Sequence, residues 1–464
     1  MPAAAGGAAR LGNGVVRAAT APVPSLAVSG PSQVVRVGVL GCGNVGAALV
    51  ELIGRQAKMI ESRTGLRLEV ARVAVRNLAR ERDVDLPPGL LTRDSHALVE
   101  DPEIDVVVEV IGGIEPAREL ILTALRHGKP VVTANKELLA NVGTELFSAA
   151  DEAGQDLLFE AAVAGGIPLI RALRESLRGE PLRRVLGIVN GTTNYILTKM
   201  TEDGASYDDV LAEAQALGFA EADPTADVEG FDAAAKLAIL ATIAFGVRVV
   251  AADVHREGIT GVTADDITYA TRNGLVIKLL AVAESFREQP EPSVGVRVHP
   301  VLLPATHPLA AVRDSFNAVF VEGSSVGDLM FYGRGAGGDP TASAVLGDLV
   351  DAALNRQRDT HATVGYISAG RIRPIDELQS GYYLSIDTVD QPGVLATVAS
   401  LFGVHDVSIA SIEQEGRGDA ARIVFITHLA RERDMQATVS ELRKLDVVRR
   451  VNSLIRVLGT EATG

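Results

Sequence analysis

Three glycines place the strongest constraint on this chain. Gly41, Gly43 and Gly46 stand in the spacing G-x-G-x-x-G, straight after the apolar run 34–40. Straight after them comes 47–60, where Leu49, Leu52, Ile53, Ala57 and Ile60 recur on one helical face. A strand that turns into a helix on such a loop opens a βαβ unit. The first glycine permits the tight turn, the second lets backbone approach a pyrophosphate, and the third lets helix pack on strand. The helix start offers free N–H groups and a positive dipole end to phosphates. Gly41, Gly43, Asn44, Val45 and Gly46 are therefore candidate cofactor-binding residues. The competing reading is a glycine turn that holds no ligand.

The pattern around the loop repeats. Strands are expected at 68–75, 105–111, 130–134 and 156–160, with helices at 117–127 and 146–153 between them. This alternation predicts an α/β fold that begins with a Rossmann-type dinucleotide-binding domain over 34–165, a parallel sheet covered on both faces. After about Gly165 the pattern changes. Strands at 184–189, 275–284, 293–298, 317–323 and 328–333, with helices such as 207–217 and 231–245, predict an α+β substrate and dimerisation domain over 166–358. The apolar stripe of 341–356 suits a return to the first domain. Residues 359–380 read as a linker. The order strand 383–389, helix 392–402, strands 407–413 and 421–429, helix 433–445 and strand 447–457 is the ferredoxin-like βαββαβ arrangement, over 381–458. Residues 1–33 are rich in Ala, Gly, Pro and Ser, with Arg10 and Arg17 but no acid. They read as a disordered extension, with a transit peptide as the alternative.

Charge narrows the partners. Against 44 Lys and Arg stand 59 Asp and Glu, a net −15, so nucleic acid and anionic membrane surfaces are poor partners. No apolar run is long enough to span a bilayer. Cys42 is the one cysteine, which leaves no internal disulfide framework and suits a cytoplasmic protein. The eight histidines show no metal spacing, and His299 and His307, beside prolines, read as loop residues.

Several charged residues fall where chemistry is expected. The second strand ends Ala74-Val75-Arg76-Asn77, with no acid to hold a ribose 2′-OH. Arg76 could pair with a 2′-phosphate, which favours NADP over NAD or allows both; the competing reading is a solvated surface arginine. Lys136 lies just past the fourth strand, at the mouth of the crevice, and could equally be a surface lysine. The richest stretch is 216–236. Gly218 can end the helix before it, and Pro224 and Gly230 punctuate a loop carrying Glu221, Asp223 and Asp227. Asp232 and Lys236 then share one helix face. An exposed pair of that kind is worth only about 0.3–0.5 kcal/mol. Here Leu237, Ile239, Leu240 and Ile243 make the helix largely apolar, and a lysine half-buried beside acids can be tuned for proton transfer. The acids suit a substrate bearing an ammonium group.

Five segments together resemble homoserine dehydrogenase: 41–46, Thr133-Ala134-Asn135-Lys136-Glu137, 160–168 (Glu160 to Pro168), Asn190-Gly191-Thr192-Thr193-Asn194-Tyr195-Ile196 and 214–236. The likeness covers about 34–356. The tail 382–457, with its turn Asp390-Gln391-Pro392-Gly393-Val394-Leu395, resembles an ACT regulatory domain. The resemblance implies reversible reduction of L-aspartate 4-semialdehyde to L-homoserine with NAD(P)H, in threonine, methionine and isoleucine biosynthesis. It implies Lys236 as proton donor, Lys136 as a second candidate near the nicotinamide, and Glu221 and Asp232 as holders of the substrate ammonium group, supported by Asp227. Gly191 and Thr192 would line the substrate pocket, and Gly335 and Gly337, with Gly218, would approach the cofactor. Glu160, Val163, Gly165 and Ile167 resemble a site for a structural monovalent cation, Na+ or K+, built from main-chain carbonyls. Threonine as an ACT ligand and a homodimer or tetramer are implied as well. Two rivals remain. An aspartate-semialdehyde-dehydrogenase-like enzyme needs a cysteine nucleophile in its catalytic domain, whereas Cys42 sits in the glycine loop. A non-catalytic amino-acid sensor would have no need of Lys236, Glu221 and Asp232 together.

Overall fold

The glycine loop lies between β1 (Gln33–Leu40) and α1 (Asn44–Thr64). The computed structural model describes residues 32–82, 84–286, 293–417 and 420–459, so the leader 1–31 lies outside the described residues. Gln33, assigned to that leader from composition, already pairs with Leu66. β1 belongs to a parallel sheet with β2 (Leu66–Ala74), β3 (Leu91–Thr92), β4 (Val106–Glu109), β5 (Val131–Thr133) and β6 (Leu157–Leu158), in the order β3-β2-β1-β4-β5-β6. The order reverses between β1 and β4. A ligand crevice therefore opens at the carboxyl ends of those strands, beside the paired residues Leu40 and Glu109. On one face Leu49 and Leu52 of α1 pack on Val35, Val37 and Val39, together with Val345 and Leu349 of the helix Gly338–Gln357. On the other, α2 (Ser95–Glu100), α3 (Ala117–Arg126) and α4 (Lys136–Ala153) bury Leu98, Leu120, Ile121, Leu139 and Phe147 against Val107 and Val131.

The second unit is built on antiparallel strands, with β7 (Leu182–Ile188) and β9 (Leu275–Phe286) beside β10 (Ser293–Pro304), β11 (Phe316–Gly323) and β12 (Asp328–Arg334); β8 (His255–Arg256) adds a short parallel piece to β10. The helices α5 (Gly191–Glu202), α6 (Tyr207–Ala216), α7 (Thr225–Val228), α8 (Phe231–Phe245) and α9 (Ala264–Arg272) belong to the same unit, and α10 is Gly338–Gln357. The reading of His299 as a loop residue is wrong: β10 continues to Pro304 and buries His299 to 2% exposure. Proline is normally excluded from inner strands. Pro300 is accommodated because β10 meets β8 at Arg297–Val298 and its next partner only at Val301, which leaves a gap at 300 on that side. Burial and the nearby charges of Arg456 and Arg297 hold the His299 imidazole well below its usual range. His307 caps a 3-10 turn, its Nδ1 accepting the Leu309 N–H at 3.1 Å.

The stretch 359–380 is no free linker. Asp156 accepts the Ala362 N–H at 2.6 Å, Val247 bridges Ser368, and β13 (Arg371–Ile372) pairs with the start of β10. The C-terminal unit then runs β14 (Gln379–Val389), α11 (Val394–Val404), β15 (Ile409–Arg417), β16 (Ala420–Thr427), β17 (Ala430–Arg431), α12 (Glu432–Leu442) and β18 (Val448–Val457). Its sheet order β18-β14-β16-β15 is that of the βαββαβ fold. One face carries its own core of Tyr382, Leu384, Phe402, Phe425 and Met435. The other packs on α9, where the rings of Tyr269 and Tyr383 lie 4.8 Å apart. β18 also pairs in parallel with β10, Val301 with Arg456 and Leu302 with Val457, so the second and third units share one sheet.

Candidate active site

Each glycine of the loop has a separate steric reason. Gly41 has φ 105, and a Cβ there would stand 2.8 Å from Val110 O. A Cβ on Gly46 would stand 2.4 Å from Gly41 O, so this glycine lets α1 sit on its own loop. A Cβ on Gly43 would meet nothing within 4 Å, which leaves that backbone open to a ligand. This pattern fits a bound dinucleotide, with Asn44 and Val45 supplying the first N–H groups of α1. Gly338 lies against Asn44 and Ala48, so the Gly335–Gly337 turn reaches the same end of the crevice. A Cβ on Gly335 would overlap Asn317, and Gly337 has φ 128.

Arg76 is exposed, two residues past the end of β2. Arg82, not singled out from sequence, folds back with its Nη2 2.6 Å from Asn77 O and lies by the Cys42 thiol. Burial pushes that thiol up, and the Arg82 charge partly offsets the push.

The chemistry gathers where the first two units meet. Lys136 opens α4 after Asn135, which caps the helix by accepting the Leu138 N–H at 3.0 Å. Across the cleft, Asp232 and Lys236 stand one turn apart on α8, which starts at Gly230 with φ 79. Lys136 Nζ donates to Asp232 Oδ1. Lys236 Nζ donates to Asp232 Oδ2 and to Val189 O, each at 2.7 Å. Asn190 Nδ2 donates to Asp232 Oδ2 at 2.9 Å and to Asp227 Oδ1 at 2.7 Å. Thr192 Oγ1 lies 3.2 Å from Asp227 Oδ2 and 2.6 Å from Phe219 O. Two carboxylates, two ammonium groups, an amide and a hydroxyl thus form one network. The Asp232 side chain is 6% exposed, that of Lys236 11% and that of Lys136 46%.

The charges support one another. Burial by itself would raise the Asp232 carboxyl, but Lys236 and Lys136 overcome it and hold it well below the carboxylate range. Burial would lower the Lys136 ammonium, and the charge and hydrogen bond of Asp232 instead raise it above the ordinary lysine value. Lys136, Lys236 and Asn190 all donate to this buried carboxylate, which thereby holds both lysines.

Other expected residues fall outside the network. Glu221 is exposed, and its carboxylate makes no hydrogen bond among the described residues; its loop is held through Gln215 Nε2, 3.1 Å from Glu221 O. Gly218, with φ 76, ends α6. Gly191 begins α5, and a Cβ there would stand 2.8 Å from Ser315 O.

Glu160, Val163, Gly165 and Ile167 lie in one buried loop that turns at Ala164, φ 51. The Glu160 carboxylate is itself committed, accepting the N–H groups of Leu169, Ile170 and Arg171 at 2.5, 2.7 and 2.9 Å. A cation there would have only main-chain carbonyls, and no cluster of three or more His, Cys, Asp or Glu suited to a metal occurs among the described residues.

Asn190 is the network member that sequence reading passed over. Its signal was there: an Asn before Gly-Thr-Thr at a helix start is a cap pattern, and Asn190 Oδ1 accepts the Thr193 N–H at 2.9 Å.

Comparison with known proteins points to one family along most of the chain. Residues 168–350 match the family model "Homoserine dehydrogenase", 41–160 match "Homoserine dehydrogenase, NAD binding domain" and 382–447 match "ACT domain". A homoserine dehydrogenase of Corynebacterium glutamicum is 50% identical over 430 residues, 92% of this chain and 96% of that protein. The crystal structure of a homoserine dehydrogenase from Thiobacillus denitrificans superposes with a TM-score of 0.86 at 42% identity, covering 92% of this chain and 98% of that one. A hyperthermophilic archaeal homoserine dehydrogenase in complex with NADPH superposes with a TM-score of 0.58 at 30% identity, covering 70% of this chain and 98% of that one.

Proposed function

The chain belongs to the homoserine dehydrogenase family, and from that premise we propose how its residues divide the reaction. The enzyme interconverts L-aspartate 4-semialdehyde and L-homoserine as an NAD(P)-dependent oxidoreductase of amino-acid biosynthesis. When bound, the nicotinamide supplies the hydride and takes it back in the reverse direction. Lys236 gives the carbonyl oxygen its proton: an ammonium has three N–H groups, and Val189 and Asp232 use two. Lys136, more exposed, adds its charge where the alkoxide develops. Asp232 balances both ammonium groups. Glu221 and Asp227 take the substrate ammonium group, and Gly191 and Thr192 line its pocket. The observation that carries this reading is the convergence of Lys136 and Lys236, from two units of the fold, on one carboxylate.

The remaining assignments are ours too. Arg76, where an NAD site would offer an acid, favours NADP, and the archaeal homologue solved with NADPH is consistent with that. A structural Na+ or K+ would sit on the carbonyls of Glu160, Val163, Gly165 and Ile167, all four of them buried. Threonine would act through the ACT unit, whose contact with α9 and shared sheet give it a mechanical link to the substrate domain. The enzyme would work in the cytoplasm as a dimer or tetramer. Among the described residues no helix is long and apolar enough to cross a membrane.

The test is steady-state kinetics of Lys236→Ala with NADPH and NADH, with and without threonine. Turnover is expected to fall at least about 100-fold while the cofactor still binds. A variant with wild-type turnover would overturn the reading.

A further inference from the structure

One buried carboxylate is not used by this chemistry. Glu109 is the last residue of β4 and has no exposed surface. It stands at the switch point of the parallel sheet, paired with Leu40 on one side and Thr133 on the other. No Lys or Arg pairs with it among the described residues. A charge buried without a counter-ion is costly, so hydrogen bonds must carry it. Burial does push this carboxyl upward, and hydrogen bonds from Thr133, Ile111, Gly112 and Asn135 pull it back.

Those bonds have a direction. Glu109 Oε1 accepts the N–H groups of Ile111 and Gly112 at 2.8 and 3.2 Å, which holds the turn after β4. Thr133 Oγ1 donates to Glu109 Oε2 at 2.5 Å and accepts the Asn135 N–H at 3.0 Å. The Asn135 side chain then donates to Gly113 O at 2.6 Å and caps α4. The next residue is Lys136, which reaches Asp232 in the other unit. Both ends of Asn135, backbone and side chain, are thus fixed by groups that Glu109 organises.

We propose that Glu109 is a positioning residue: through Thr133 and Asn135 its carboxylate sets the start of α4 and so aims Lys136 across the cleft at Asp232. The proposal rests on the role given to Lys136 above. A shift of about 1 Å in such a group can cost about 100-fold in rate.

The test is a double-mutant cycle on the full-length enzyme. E109Q and T133V are each made in the wild-type and K136A backgrounds, and kcat, cofactor Kd and Tm are measured. T133V removes the hydroxyl that joins the carboxylate to Asn135 with little change of shape, and it carries the test alone should E109Q not fold. Each is expected to lower kcat at least about 10-fold, with cofactor Kd within about threefold of wild type. In the K136A background the further loss should stay within about twofold, because the effect travels through that lysine. Losses that multiply with K136A, losses confined to cofactor Kd or Tm, or a T133V enzyme with wild-type kcat would overturn the proposal. Wild-type turnover in K136A alone would instead remove the reading on which it rests.

Discussion

Arg456 and Glu257 meet through two parallel hydrogen bonds, Nη1 to Oε2 at 2.9 Å and Nη2 to Oε1 at 2.8 Å, across the boundary between the ACT unit and the substrate domain. The same guanidinium binds Glu432, and both of those side chains are at most 5% exposed. Removing one partner of a buried pair leaves the other charge uncompensated. R456M should therefore lose about 3–5 kcal/mol in urea unfolding. A stability equal to wild type would show that Glu432 finds another partner.

Asn190 ties Asp227 to Asp232, and no other side chain among the described residues bonds to both. N190A frees the two like charges from their shared donor. We expect kcat/KM for the semialdehyde to fall about 10–100-fold, the scale of one or two hydrogen bonds to charged groups, and Tm to fall as well, because the same side chain caps α5. Unchanged kinetics would mean that the carboxylates keep their places without the amide.

The charge network predicts a pH dependence with a definite sign. Asp232 raises the Lys136 ammonium, so D232N should move the alkaline limb of the pH–rate profile to lower pH as well as lower kcat. The Asp232 carboxyl is depressed in the folded state, so its stabilisation is present above the unfolded value of about 3.9 and is lost as pH falls through the folded value. D232N should therefore be less stable than wild type at neutral pH, and the gap should close in strong acid. A gap that is constant with pH would contradict the assignment.

Gly43 and Gly46 should respond differently to one methyl group. G43A adds a Cβ to open space and should leave Tm unchanged while weakening cofactor binding. G46A forces a Cβ within 2.4 Å of Gly41 O and should lower Tm. Cofactor titration and thermal melting of the two variants decide the point, and equal effects on both readouts would argue against an open phosphate loop at Gly43.

The parts of this molecule that could be read along the chain are those whose causes are local. Gly41, Gly43 and Gly46 act within one turn, and the strand and helix periods on either side need no distant partner. The same holds for Asp232 and Lys236, one helical turn apart. The misreadings have distant causes. His299, beside Pro300, looked like a loop residue because the gap that admits this proline is left by β8 and β18, far along the chain. The stretch 359–380 looked like a linker because its partners are Asp156, Gly246 and Ser293–Val294.

Sequence alone determined the doubly covered sheet, the βαββαβ unit, the glycine loop and the lysine–carboxylate helix, because periodicity, turn chemistry and short-range spacing act between near neighbours. Only the tertiary structure decided that Lys136 shares a carboxylate with Lys236, that Asn190 joins two acids, that Glu109 lies behind Lys136, and that the ACT sheet extends the substrate sheet. Those are contacts between residues tens to hundreds of positions apart. Burial there makes each unsatisfied polar group costly, and folding brings the partners together.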